Sequence, residues 1–156
     1  MAFEAQIPMR WGDMDTYGHI NNAVFVTYLE QARVAAFASR PTDQTGNRML
    51  STGIVVVEHT IRYRRQVPFS STPLRAALWI GEVKSASYTT HYELWNDSAE
   101  PPELAATAST ILAPINFETG RPRRLTPEEM DQFAAVRATA YRIAPEIADA
   151  LYSLRP

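Results

Sequence analysis

The sequence predicts an α+β fold in which one long helix is wrapped by a curved antiparallel sheet of about five strands. One segment near the amino terminus has apolar residues at helical spacing, and four long segments rich in β-branched and aromatic residues follow it. No helical pattern separates those segments, so we expect antiparallel pairing. The 156 residues suffice for one buried core, which predicts a single domain over 1–156 with its core at about 3–120.

The helix is predicted from about residue 23 to 39. Phe25, Leu29, Ala32 and Ala36 recur at spacings of three and four, which places them on one face. Apolar residues cover much of the circumference, as in a helix that a sheet surrounds.

Polar residues mark the start and the outer side of this helix. Asn21 or Asn22 is the predicted N-cap, since asparagine accepts hydrogen bonds from the first amides of a helix. Glu30 and Arg33 are predicted to mark its wetter side.

A short strand at 3–11 is predicted before the helix. The predicted long strands after it are 54–67, 74–84, 87–95 and 104–117. Thr126-Pro127-Glu128-Glu129 combines a cap, a proline at the first helical position and a glutamate three residues after the cap, which indicates a helix start. A helical extension is therefore expected at about 126–154, with a further short helix from Pro145 and docking by the apolar residues Met130, Phe133, Ile147 and Leu151.

Composition excludes several function classes. The 15 basic residues nearly balance the 17 acidic ones, so no overall field favours nucleic acid or an anionic membrane. Without cysteine there is neither a disulfide nor a thiolate zinc site. No apolar run is long enough to span a bilayer and the first residues do not resemble a signal peptide, so we expect a cytoplasmic protein.

The loop before the helix carries the candidate chemistry. Residues 10–22 contain Asp13, Asp15, His19, Asn21 and Asn22. The first amides of a helix lack intrahelical partners and carry positive partial charge, so they can stabilise a carbonyl oxygen as it becomes negative. A thioester suits such a site, because a thiolate with a conjugate-acid pKa of roughly 8.5 leaves without a strong general acid. Asp15 would either attack the carbonyl or activate water; the residues leave both routes open.

Each loop residue also has a structural interpretation. Asp15 could cap the following turn, and Asp13 is expected to order the loop by accepting backbone N–H bonds. His19 is either a second catalytic base or a residue that orients the loop. Asn21 and Asn22 are caps first, and their side chains could also position water or the acyl group.

No metal or cofactor is expected. The sequence has no His-Glu-x-x-His motif, and His59 and His91 fall on predicted strands without partner spacing. Glycine-rich phosphate loops and the Gly-x-Ser-x-Gly elbow of serine hydrolases are also missing from the sequence.

The pattern Asp13-x-Asp15-x-x-Gly18-His19-x-Asn21-Asn22, followed by Tyr28, Glu30, Ala32 and Arg33, resembles the active-site loop and helix of the 4-hydroxybenzoyl-CoA thioesterase-like family, which has the hotdog fold. The segment 19–22 is also similar to plant acyl-ACP thioesterases, which favours an aliphatic acyl group over an aryl group. The resemblance covers roughly 5–120. It implies hydrolysis of an acyl-CoA, or of an acyl carrier protein thioester, with Asp15 as the catalytic carboxylate and an amide near Asn22 polarising the thioester.

The same resemblance implies further contacts and partners. A homodimer or homotetramer is expected, with sheets joined edge to edge and sites at the subunit interface. Basic residues on later strands would hold the CoA phosphates, with Lys84, Ser85 and Arg64 as candidates, and Gly18 and Asn21 are expected to contact substrate.

Two alternatives stay open. A hydratase or dehydratase of acyl thioesters would use an aspartate with a histidine, although Asp15 and His19 are only four residues apart. A non-catalytic acyl-CoA binding module would bind the ligand without turnover.

Overall fold

The computed structural model describes residues 2–38 and 53–141. Strand β1 (Phe3–Ile7) leads through a 3-10 turn (Trp11–Asp13) to helix α1 (Val24–Ala38). Five further strands and a second helix follow: β2 (Ile54–Tyr63), β3 (Leu74–Lys84), β4 (Ser87–Asn96), β5 (Glu103–Asn116), β6 (Arg121–Pro122) and α2 (Pro127–Tyr141).

The strands form one antiparallel sheet in the order β1-β3-β4-β5-β2, with the short β6 paired to β5. Ile7 pairs with Leu74, and Tyr63 pairs with Ala106. The last residues of β1 and β2 therefore lie beside the first residues of β3 and β5. The segments that follow β1 and β2 thus leave the sheet at the same end, which we call the site end.

Helix α1 lies against one face of this sheet, as the sequence predicts. Phe25, Leu29, Ala32 and Ala36 are all buried. They belong to one core cluster with the inward side chains of the strands, including Leu78. Every second side chain of β3 and β4 points to this inner face, since successive residues of a strand point to opposite sides of the sheet. The arrangement of one helix enclosed by an antiparallel sheet is the hotdog fold.

The prediction for Arg33 is wrong. This residue is only 6% exposed, whereas Glu30, one turn earlier, is exposed. The guanidinium reaches inward, where Nη1 donates to the hydroxyl of Tyr92 at 3.1 Å. The aliphatic part of an arginine side chain packs on apolar surface at little cost. The Tyr92 hydroxyl then accepts a hydrogen bond from the charged guanidinium.

The elements otherwise follow the predicted order with some different boundaries. Strand β1 ends at Ile7 and not near residue 11, since Pro8 has no N–H to donate to the ladder. Strand β2 ends at Tyr63, four residues before the predicted end. Asn96 and the residues after it form the turn into β5.

The carboxyl-terminal helix begins as predicted. The Glu129 amide donates to Thr126 Oγ1 at 3.2 Å and the Thr126 amide donates to a Glu129 carboxylate oxygen at 2.8 Å, which is a capping box. Phe133 is buried against Tyr88, with ring centroids 4.3 Å apart, as the docking prediction requires. Met130 is exposed, so the docking prediction is wrong for this residue. The predictions for Pro145, Ile147 and Leu151 lie outside the described residues. Within the described ranges, neither helix has the length and apolar character needed to cross a bilayer.

Candidate active site

The loop after β1 folds into a small hairpin that holds the candidate residues. The Asp15 amide donates to the His19 carbonyl at 2.7 Å, Met14 pairs with Ile20, and the Asn21 amide donates to the Asp13 carbonyl at 2.9 Å. The Gly18 amide closes the turn on the Asp15 carbonyl at 3.1 Å.

Gly18 has φ +77°, a left-handed conformation that glycine adopts without strain. The sequence predicted Gly18 as a substrate contact. The structure gives it this backbone role, and the substrate contact stays a prediction.

Asp13 is the buried carboxylate of the loop, with only 2% of its surface exposed. The Arg10 guanidinium donates to Oδ1 at 2.9 Å, the Arg10 amide donates to Oδ2 at 3.0 Å, and the Tyr28 hydroxyl donates to Oδ2 at 2.7 Å. Burial acts to raise the pKa of Asp13, but the hydrogen bonds from Arg10 and Tyr28 outweigh it and the pKa is lowered. Burial and the bond to Asp13 raise the pKa of Tyr28. Asp13 thus joins the loop to helix α1.

Asp15 is partly exposed and only half satisfied. Its Oδ1 accepts the amides of Tyr17 at 2.8 Å and His19 at 3.2 Å, which is the turn-capping interaction expected of a loop aspartate. No donor from the described residues reaches Oδ2. One oxygen therefore fixes the side chain on its own turn, and the other is available to a ligand.

His19 contributes its backbone to the loop. It bridges to Pro68 and accepts from Asp15, while its ring Nδ1 is buried and has no partner among the described residues. The imidazole does not hydrogen-bond to Asp15. A direct catalytic role for this ring stays a prediction.

At the start of helix α1 the backbone amide of Asn22 is open. Asn21 is the cap: its Oδ1 accepts the Ala23 amide at 2.9 Å and its carbonyl accepts the Val24 amide at 3.0 Å. Between residues 19 and 24, the amides of His19, Ile20, Asn21, Ala23 and Val24 all have acceptors, whereas the Asn22 amide has none within the described part of the chain.

The direction of the open amide follows from the planarity of the peptide. The N–H of Asn22 shares a trans peptide with the carbonyl of Asn21 and points opposite to it. That carbonyl points into the helix, toward Val24. The Asn22 N–H therefore points away from the helix, out of its positive end.

The segment after β2 runs beside this loop. The Tyr63 hydroxyl donates to the Asn22 carbonyl at 2.9 Å, and the Ile20 amide donates to the Val67 carbonyl at 2.9 Å. Arg64 and Arg65 lie between Tyr63 and Val67 in the sequence and are exposed. Their backbone amides both donate to the Ala105 carbonyl. Arg64 and Arg65 therefore belong to the segment whose two ends, Tyr63 and Val67, contact the loop.

Lys84 and Ser85 lie at the other end of the sheet. Lys84 ends β3 and Ser85 begins the turn to β4. Lys84 is ten residues along β3 from Leu74, which is about 33 Å at 3.3 Å per residue. Lys84 pairs with Glu82 at 3.2 Å, and the Ser85 carbonyl accepts the Leu125 amide at 2.8 Å. One chain therefore does not bring these two residues to Asp15, and a CoA contact by them would need a second copy.

Sequence reasoning assigned no role to the hydroxyls of Tyr28 and Tyr63. Both tyrosines sit on elements predicted correctly, and a buried or half-buried phenol normally finds a polar partner. This tendency predicts that each hydroxyl forms a hydrogen bond, but it does not identify the acceptor. A group of three or more histidine and acidic side chains able to hold a metal is not present in the described ranges.

Comparison with known proteins agrees with the geometry. The family model described as the thioesterase-like superfamily matches residues 9–144. The uncharacterised protein YsmA of Bacillus subtilis strain 168 is 28% identical over 137 residues, which are 87% of this chain and 88% of that protein.

Solved structures are similar in fold. A DHNA-CoA thioesterase from Staphylococcus aureus superposes with a TM-score of 0.72 at 23% identity, covering 89% of this chain and 93% of that one. A thioesterase from Thermus thermophilus, complexed with coenzyme A and zinc, gives 0.71 at 21% identity, covering 86% and 93%. The family match spans most of the sequence and includes the loop of Asp15. The chain therefore belongs to the thioesterase-like superfamily, with the hotdog fold of the 4-hydroxybenzoyl-CoA thioesterase type, and thioester hydrolysis is the activity class that this membership supports.

Proposed function

We propose that the protein hydrolyses an acyl-CoA thioester to the free acid and CoA, with Asp15 as the reacting carboxylate and the Asn22 amide as the oxyanion donor. The observation that carries the proposal is the pair of unused groups on one short hairpin. The amide of Asn22 has no acceptor and Oδ2 of Asp15 has no donor within the described residues, whereas the backbone amides of Asn21, Ala23 and Val24 all have acceptors.

The two groups have complementary functions. An amide at the positive end of a helix stabilises the negative oxygen that forms when the thioester carbonyl is attacked. A carboxylate supplies either the attacking oxygen or the base that removes a proton from water. The thiolate of CoA leaves without a general acid, so the site needs no third titrating group.

Arg64 is the proposed contact for the CoA phosphates. It is exposed, it has no ion-pair partner within the described residues, and it directly follows Tyr63, whose hydroxyl touches Asn22. Arg65 adds a second cation beside it. A phosphate bound here would lie at the site end of the sheet, where the reacting groups are.

We also propose that the protein forms a homodimer, or a homotetramer built from it, through the edge of β2. This strand is ten residues long and is the last in the sheet order. Val55, Val56 and Val57 on it are exposed, and Val57 is 62% exposed. An apolar edge with unpaired backbone groups is a template for another strand. The cytoplasmic location predicted from the sequence stays a prediction.

The test is thiol release from a panel of acyl-CoA thioesters, with the wild type and Asp15→Asn compared. Asparagine keeps the oxygen that accepts the Tyr17 and His19 amides, so the turn is retained while the charge is lost. We expect kcat to fall by about 10²- to 10⁴-fold, the usual contribution of a positioned base. Full activity of Asp15→Asn would remove this residue from the mechanism.

The same assay separates the alternatives. A hydratase acting on an enoyl-CoA changes the acyl group and releases no thiol, and a binding module releases none from any substrate. An acyl carrier protein thioester, run in parallel with CoA thioesters of the same acyl group, tests the carrier. No thiol release from either carrier would overturn the proposed hydrolysis.

A further inference from the structure

We propose that Tyr63 is a positioning residue that fixes the direction of the Asn22 amide by holding the carbonyl of the same residue. The proposal rests on the proposed function of that amide as the oxyanion donor. The contact that carries it is the hydrogen bond from the Tyr63 hydroxyl to the Asn22 carbonyl at 2.9 Å, which joins residues 41 positions apart in the sequence.

Asn22 lies between two peptide planes, and each plane needs its own restraint. The plane on its amino side contains the open N–H and the Asn21 carbonyl, which accepts from Val24. The plane on its carboxyl side contains the Asn22 carbonyl and the Ala23 amide, which donates to Asn21 Oδ1 at 2.9 Å. The two planes meet at the Cα atom of Asn22, so restraining both fixes its φ and ψ.

Without the Tyr63 hydroxyl, the second plane depends on a local contact. The bond between the Ala23 amide and Asn21 Oδ1 joins residues two apart and turns with the Asn21 side chain. Asn22 is exposed and precedes the first helical residue, Val24, so the regular helix ladder does not hold it. The tyrosine supplies the restraint that comes from outside the loop.

Tyr63 is itself held firmly enough to act as a support. It is the last residue of β2 and pairs with Ala106. Its ring meets Phe25 edge to face, with centroids 5.2 Å apart, and the next two amides both donate to the Ala105 carbonyl. Groups on rigid strands position a site more precisely than groups on loops.

The side chain remains 50% exposed, so it holds the site without closing it. Tyr63→Phe keeps the ring contact with Phe25. The Asn22 carbonyl that loses its donor is exposed, so the substitution leaves no buried polar group without a partner. We expect the variant to fold normally.

The kinetic test compares Tyr63→Phe with the wild type in the thiol-release assay. Loss of one neutral hydrogen bond that orients the donor should lower kcat by about two- to tenfold, with KM nearly unchanged because the phosphate contacts remain. Tyr92→Phe is the matched control: it removes a hydroxyl that bonds Arg33 under the sheet, so it should lower stability and leave kcat unchanged. A kcat for Tyr63→Phe equal to that of the wild type, or an equal loss in both variants, would overturn the positioning role.

Amide hydrogen exchange tests the same contact without any substrate. Tyr63→Phe should raise the exchange rate of the Ala23 amide, which donates to Asn21 Oδ1, by a similar factor, while Tyr92→Phe should leave it unchanged. Unaltered exchange of the Ala23 amide in Tyr63→Phe would contradict the proposal even in an active enzyme. Faster exchange in a protein that releases no thiol would instead retain the positioning contact and reject the proposed hydrolysis.

Discussion

Asp13 and Asp15 are two residues apart in one loop, yet their surroundings differ in every respect that matters for reactivity. Asp13 is buried and both of its oxygens accept hydrogen bonds from Arg10 or Tyr28. Asp15 is partly exposed, and only one of its oxygens is bound, by amides of its own turn. A fully satisfied carboxylate stabilises the fold, whereas a half-satisfied one can act on a ligand.

Asp13 also supports the turn that carries Asp15, the aspartate proposed to react. Asp13 joins the 3-10 turn to helix α1 through Tyr28, and its carbonyl holds the Asn21 amide. The cap of the helix and the base of the hairpin are thus fixed together. The turn that carries Asp15 then projects from a rigid base.

Asp13→Asn should give the largest loss of stability. An asparagine amide cannot replace both carboxylate oxygens, since its nitrogen would face either the Arg10 guanidinium at the Oδ1 position or the Arg10 amide and the Tyr28 hydroxyl at the Oδ2 position. Hydrogen bonds to a charged group contribute about 1.5–3 kcal/mol, so we expect the free energy of unfolding to fall by about 2–3 kcal/mol. Denaturant unfolding of Asp13→Asn and Asp15→Asn measures the contrast, and a larger loss in Asp15→Asn would reverse our assignment of the two residues.

Acid titration should show the same contrast in a second way. The pKa of Asp13 is lower in the folded protein than its ordinary value, so the unfolded chain binds more protons at acid pH. This contribution to stability is complete above the unfolded pKa of about 3.9 and is lost as pH falls through the folded pKa. The difference in unfolding free energy between wild type and Asp13→Asn should therefore shrink below about pH 4. A constant difference down to about pH 2 would contradict a lowered pKa.

Tyr28→Phe should have a smaller effect of the same kind. It removes one donor from Asp13 Oδ2 and leaves the Arg10 amide at 3.0 Å. We expect a loss of about 1.5 kcal/mol in unfolding free energy, at the lower end for bonds to a charged group. Because the Tyr28 bond lowers the pKa of Asp13, the acid transition should also move to higher pH. An unchanged acid transition would show that Arg10 alone sets this pKa.

The sequence was sufficient for the elements whose signals are local. The capping box at Thr126 and Glu129 and the buried face of α1 depend on contacts within a few residues or on one periodicity, and both predictions are confirmed. Arg33 could not be placed this way. A cation three residues after Glu30 looks solvated until the Tyr92 hydroxyl, 59 residues away, is known to face it.

The open amide of Asn22 and the position of Lys84 depend on register, which local patterns do not contain. An orphan N–H is defined by what every neighbouring amide does, and Tyr63 reaches Asn22 only because β2 ends at the site end of the sheet. Lys84 and Arg64 are similar in sequence context as basic residues at strand ends. Only the strand pairing shows that they lie at opposite ends.

Arg64→Ala and Lys84→Ala extend the comparison from the two carboxylates to these two cations. Exposed charge pairs contribute about 0.2–1 kcal/mol, so removing a phosphate contact at Arg64 should raise KM by up to about fivefold, with kcat unchanged. The effect should weaken at high salt, because ions screen exposed charges.

Lys84→Ala should raise KM only if the hairpin of a second copy reaches the site. The double variant Val55→Lys, Val57→Lys places charges on the β2 edge and is expected to be monomeric, which a measurement of its size in solution checks. The KM measurements for Arg64→Ala and Lys84→Ala are then repeated in this monomer. In that monomer Lys84→Ala should have no effect on KM, while Arg64→Ala should still raise KM. An effect of Lys84 that persists in the monomer would contradict the strand register, and a pure kcat effect of Arg64→Ala would contradict phosphate binding.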